Sequence, residues 1–104
     1  SQDLEIMTKA EIVTEIAKST GIEKTVVTTV AEEFMESVKN GMIEGNPVYL
    51  RGFGSFIIKQ RAEKTARNIS KGTTIKVPAH KIPAFKPAKS FQKPIAIKSQ
   101  EVKN

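Results

Sequence analysis

The chain has 104 residues, enough for one domain with a modest core, and carries a net charge of +6. It contains no cysteine, which excludes disulfides and thiolate metal sites and points to a reducing compartment. No apolar run is long enough for a membrane-spanning helix, and no charged-then-apolar signal segment opens the chain.

Residues 1–6 (S-Q-D-L-E-I) precede a plausible start at Met7 and read as a cloning remnant. Thr8-Lys9-Ala10-Glu11 matches a capping box, in which the hydroxyl and the carboxylate serve free N–H groups at a helix start. Ile12, Val13, Ile16 and Ala17 follow at helical spacing, and Gly21 suits the left-handed residue that ends a helix. A second helix is expected from about Glu23. Its stripe is Val27, Val30, Ala31, Phe34, Met35, Val38 and Met42, and Gly45-Asn46-Pro47 stops it. Val26, Val27, Thr28 and Thr29 are poor helix formers and weaken its first turn.

The hydrophobic period then changes from 3.6 to 2. Val48-Tyr49-Leu50 reads as a short strand and Arg51-Gly52-Phe53-Gly54 as a tight turn. Ser55 to about Lys64 reads as a second strand, with Phe56 and Ile58 on one face and Ile57 and Lys59 on the other. Thr73 to Val77 reads as a third, with Ile75 and Val77 opposite Lys76. Between these two lies a hairpin tip, T-A-R-N-I-S-K-G. Beyond it Pro78, Pro83 and Pro87 restrict the chain. Ala88 to Lys93 is expected to form only a short helical turn before Pro94, and residues 94–104 a flexible tail.

Charge is divided unevenly. Residues 1–50 hold four lysines and nine acids, a net of −5; residues 51–104 hold thirteen Lys or Arg and two acids, a net of +11. Such a split suits one limb that meets a polyanion. The hairpin around residues 59–76 has only Ile69 and Ile75 as large apolar residues beyond its base. A two-stranded ribbon without an apolar face is barely stable alone, so it is expected to project as a mobile arm that acts on a ligand. Phe34, Phe53, Phe56 and Phe85 exceed what one small layer can cover, and a symmetric dimer would bury them.

Gly52-Phe53-Gly54-Ser55-Phe56, then Arg61, Arg67-Asn68, Gly72, Ile75, Pro78-Ala79, Pro83 and Phe85-Lys86 closely resemble the HU and integration host factor family of bacterial DNA-bending proteins. The resemblance runs from Met7 to about Lys93. It implies an α+β chain: two N-terminal helices, a three-stranded antiparallel sheet with a long protruding hairpin arm, and a short C-terminal helix. Two such chains, identical or paralogous, would intertwine, and their arms would wrap the minor groove of double-stranded DNA. The expected setting is the cytoplasmic nucleoid. Three departures stand out. Ile69 occupies the tip position that usually holds proline, Lys71 precedes Gly72 where Thr is usual, and Pro94 interrupts the last helix.

On this reading Lys59, Arg61, Lys64, Arg67, Lys71 and Lys76 neutralise phosphates along the arm. Lys86 and Lys89 do so on the flank of the sheet, and Lys9 from the first helix. Arg67 and Asn68 are expected to enter the minor groove, and Ile69 to act as an apolar wedge between base pairs. The plainer alternative for the arm is a solvated charged hairpin. Phe34, Phe53, Phe56 and Phe85 are expected in the dimer core, with Gly52 and Gly54 making the sharp turn that turns the rings inward. Lone His80 lacks the company of a metal site. With no nucleophile–base pair, no paired carboxylates in the basic half and no phosphate-cradling loop, an enzyme is not expected, nor a cofactor, a small-molecule substrate or a membrane partner. Two other readings remain open: a sequence-selective bender of the integration host factor type, and an RNA-binding or oligomeric scaffold module.

Overall fold

The computed structural model describes residues 5–103. The first four positions of the expected remnant, and the last residue of the expected tail, lie outside the described residues. The chain divides into two compact units, Ser1–Asn40 and Gly41–Asn104.

The first unit holds α1 (Lys9–Thr20) and most of α2 (Lys24–Ile43). Thr8 caps α1: its hydroxyl oxygen accepts the Glu11 N–H at 3.3 Å. The reciprocal half of the capping box differs from expectation, because the Glu11 carboxylate accepts from the Thr8 hydroxyl at 3.3 Å. Gly21 closes the helix with φ 76°, its N–H reaching the Ala17 carbonyl. The β-branched start of α2 is helical after all. The Thr28 and Thr29 hydroxyls each donate to the carbonyl four residues back, at 2.8 and 3.1 Å, which ties these side chains to the turn they would otherwise disfavour. Val13 and Val27 are the buried apolar side chains among the described residues. Ile12, Ile16, Val30, Phe34 and Met35 keep much of their surface exposed.

The second unit holds β1 (Val48–Leu50), β2 (Gly54–Arg61), β3 (Lys64–Asn68), β4 (Thr73–Val77), β5 (His80–Pro87) and α3 (Lys89–Lys103). A three-stranded antiparallel sheet runs in the order β1-β2-β5, and β3-β4 forms a separate two-stranded ribbon. The third strand of the sheet is therefore β5 and not residues 73–77, as the sequence had suggested. Its prolines hid it. They are tolerated because β5 is an edge strand, whose outer N–H positions have no ladder partner to lose. The long second strand is also divided in two, with Ala62 and Glu63 outside either ladder.

The register does not slip across this break. Arg61 faces His80; three residues further on Lys64 faces Val77, three residues back. The sheet edge and the ribbon are thus one long hairpin with a two-residue interruption on each side, Ala62-Glu63 and Pro78-Ala79. At the last body pair the Gln60 side-chain amide donates to the His80 carbonyl at 3.3 Å, and His80 Nδ1 lies 2.9 Å from the Pro78 carbonyl.

One face of the sheet base is aromatic. Phe56 and Phe85 are cross-strand partners with ring centroids 4.9 Å apart. Phe85 also meets Phe53 at 5.2 Å, and Phe53 meets Phe91 of α3 at 5.4 Å, spacings favourable for tilted ring pairs. Gly54 permits this closeness: a Cβ there would stand 2.6 Å from both the Lys86 carbonyl oxygen and the Phe85 ring. Gly52 supplies the positive φ of the turn, 79°.

The C-terminal segment corrects a further expectation, since α3 continues through Pro94 to Lys103. Its first turn is pinned from outside the helix. The Ala88 N–H donates to the Phe53 carbonyl at 2.9 Å, the Ser90 hydroxyl to the Gly52 carbonyl at 3.3 Å, and the Gln92 amide to the Pro87 carbonyl at 3.0 Å. Pro94 removes one bond, the one to the Ser90 carbonyl, at a cost of about 3 kcal/mol. Ala96, Lys98 and Gln100 beyond it are good helix formers.

Candidate nucleic-acid interface

Strand pairing sorts the basic residues, because partners in a ladder share a face and alternate residues change face. Lys59, Arg61 and Lys86 lie on the face of the body sheet opposite the Phe56–Phe85 pair, together with Tyr49, Ile57 and Ile82. In the ribbon, Arg67 and Lys76 share one face with Thr65 and Thr74. Lys64 falls on the other, with Ala66, Ile75 and Val77. Because the register is kept, Lys59, Arg61, Arg67, Lys76 and Lys86 all have the same parity along the hairpin. Period-2 alternation, applied to an undivided strand, could indicate this for β2 and β3 but not for Lys76 or Lys86, whose partners depend on the register.

The arm carries one carboxylate. Glu63 stands 3.7 Å from Lys76, with both side chains largely exposed, so the two partly cancel where the arm leaves the body. Lys9 belongs to the first unit and is ion-paired with Glu32 at 2.6 Å. Lys71 lies in the tip loop and Lys89 opens α3; both are exposed.

The tip is a four-residue loop, Ile69 to Gly72, closed by Gly72, whose N–H donates to the Asn68 carbonyl at 2.9 Å with φ 65°. Ile69 is 88% exposed, the most exposed large apolar side chain among the described residues. Its neighbour Asn68 is half-buried and turned back into the loop. The Asn68 side-chain oxygen accepts from the Ser70 hydroxyl at 2.9 Å and from the Lys71 N–H at 3.3 Å. Asn68, expected as a groove contact, and Ile69, expected as the wedge, are thus in different situations.

Of the expected dimer-core residues, Phe53, Phe56 and Phe85 come together, and Phe91 joins them. Phe91 was missed because its role depends on α3 packing against the 51–54 turn. Phe53 and Phe85 remain 46% and 38% exposed within the single chain. Phe34 lies in the first unit and is 50% exposed. Tyr49, exposed on the basic face, was also missed; as a lone aromatic in a three-residue strand its side could not be assigned before the register was known.

No helix among the described residues is long and apolar enough to cross a membrane, and no cluster of three potential metal ligands occurs among them.

An α+β chain with a cation-faced hairpin and an isolated apolar side chain at its tip defines an armed, polyanion-facing class of protein. The chain belongs to the bacterial DNA-binding protein family, the HU type, whose family model matches residues 7–96. It is 41% identical over 86 residues to DNA-binding protein HU-beta of Pseudomonas aeruginosa, covering 83% of this chain and 96% of that one. It is 34% identical over 86 residues to DNA-binding protein HU of Geobacillus stearothermophilus, with the same coverage. Among solved structures, Anabaena HU in a cocrystal with DNA matches with a TM-score of 0.83 at 30% identity, over 86% of this chain and 98% of that one. A mutant of HU from Thermotoga maritima matches with a TM-score of 0.65 at 25% identity, over 86% and 99%.

Proposed function

We propose that this chain is an architectural double-stranded DNA-binding protein. As a dimer it wraps duplex DNA between two arms and bends it from the minor groove, the mode that HU and integration host factor themselves exemplify. The observation that carries the reading is the hairpin itself: six cations against one carboxylate between residues 59 and 76, a kept register, and Ile69 standing free at the end. Phosphate neutralisation supplies affinity without reading sequence. Flexible, nicked or already bent DNA is favoured, because less deformation energy is needed to fit it.

The exposure of Ile12, Ile16, Val30, Phe34 and Met35 in one unit and of the Phe53–Phe85 group in the other supports dimerisation, whether with a second copy or a paralogue. Ile69 serves as the wedge where relatives carry proline. The chain acts as a binding module rather than an enzyme, in the cytoplasmic nucleoid.

The test is a titration of duplex DNA, duplex RNA and single-stranded DNA at two salt concentrations. Neutralising at least six phosphates gives a slope of log K against log salt of about −5 or steeper on duplex DNA. A flat salt response, or tighter binding to RNA, overturns the proposal.

A further inference from the structure

We infer that Asn68 is a positioning residue for the arm tip, holding the loop that presents Ile69 rather than reading DNA itself. The inference rests on the minor-groove reading of the arm and deepens it.

Both oxygens of Asn68 are turned into the loop. The carbonyl accepts the Gly72 N–H at 2.9 Å. The side-chain oxygen accepts the Ser70 hydroxyl at 2.9 Å and the Lys71 N–H at 3.3 Å. Two of the four loop N–H groups are therefore tied to one residue, and that residue is itself fixed by the last ladder pair, Asn68 with Thr73. The outcome is selective exposure: Asn68 is half-buried while Ile69 is 88% exposed.

The chemistry explains why such a tie matters here. A proline at the tip would hold φ near −65° by its ring. Ile69 has no ring, so its backbone is free to rotate unless a neighbour restrains it. An asparagine side chain that bonds the backbone two or three residues on supplies that restraint locally. A loop ordered before it meets DNA loses less entropy when an apolar side chain is inserted between base pairs. With its side-chain oxygen occupied, Asn68 also has less capacity to hydrogen-bond a base edge.

The test uses the full chain and two duplexes, one linear and of mixed sequence, one pre-kinked by a nick. Bend angle is read at saturating protein by energy transfer between end-labelled DNA, and affinity is read on both duplexes. Asn68→Ala is expected to lower the bend of the linear duplex to the level of Ile69→Ala, and to weaken linear-duplex binding relative to the nicked duplex by roughly fivefold, the equivalent of one lost hydrogen bond. The Asn68→Ala/Ile69→Ala double variant is expected to bend no less than either single variant. Asn68→Asp, which keeps the accepting oxygen and loses the amide donor, restores the bend at saturation, although its charge weakens affinity. The thermal midpoint stays unchanged in all of them.

Wild-type bending by Asn68→Ala overturns the inference. So does an additive loss in the double variant, or an equal loss of bend in Asn68→Asp and Asn68→Ala, which would mark the amide as a groove contact. If the wild-type chain leaves the linear duplex straight, the proposed function itself falls, a result distinct from bending that ignores residue 68.

Discussion

The base and the arm of the long hairpin share one register and one backbone pattern, yet they are held by different means. At the base, β2 has partners on both sides, and Phe53, Phe56, Phe85 and Phe91 form a continuous aromatic group against it. In the arm, five pairs join β3 to β4, and only Ala66, Ile75 and Val77 give it an apolar side. Backbone pairing is common to both, so side-chain packing makes the difference: ring contacts hold the base, while the arm leaves its cations and Ile69 to solvent. A ribbon of this kind gains little from folding alone and has its surface available for a ligand.

Substitutions can break that contrast at either end. The largest effect is expected at the base. Phe85→Ala removes a ring that touches three others and should destabilise the protein by about 3 kcal/mol, read as a lowered thermal midpoint and as dissociation in sedimentation. Gly54→Ala places a Cβ 2.6 Å from the Lys86 carbonyl and the Phe85 ring and should act in the same direction. An unchanged midpoint in both would refute the view that this cluster holds the fold.

In the arm, Arg67→Ala combined with Lys71→Ala should leave the midpoint alone and weaken DNA binding across sequences. The salt slope should fall by about 2 for each arm engaged, one for every phosphate that is no longer neutralised. Loss of stability without a change of slope would reverse the assignment of arm and base. Ile69→Asp should then reduce the bend of linear DNA more than it reduces affinity for nicked DNA, and an unchanged bend in a ring-closure assay would remove the wedge.

The smallest effect is expected at the junction. Glu63→Gln releases Lys76 from an exposed ion pair worth under about 1 kcal/mol. Binding at low salt should tighten by less than about fivefold, with a slightly steeper slope and no change in midpoint; weaker binding would show that Glu63 positions Lys76 instead of competing for it.

Elements whose cause is local are legible in the residues alone. Gly21 and Thr8 mark the limits of the first helix because cap geometry depends on neighbouring residues. The alternation of Phe56, Ile57, Ile58 and Lys59 indicated two faces because strand periodicity is intrinsic to the backbone. The uneven charge and the polar hairpin were legible for the same reason. Features that depend on distant partners emerge only once the chain is folded. Pro83 and Pro87 are compatible with β5 because that strand is an edge. Pro94 lies inside a helix because the turn at 51–54 anchors the helix start. Lys86 shares a face with Arg61, and Lys76 with Arg67, because each face depends on which distant strand pairs and in what register. Asn68 is withdrawn and Ile69 presented because loop hydrogen bonds, which composition does not reveal, use the oxygens of one and leave the other free.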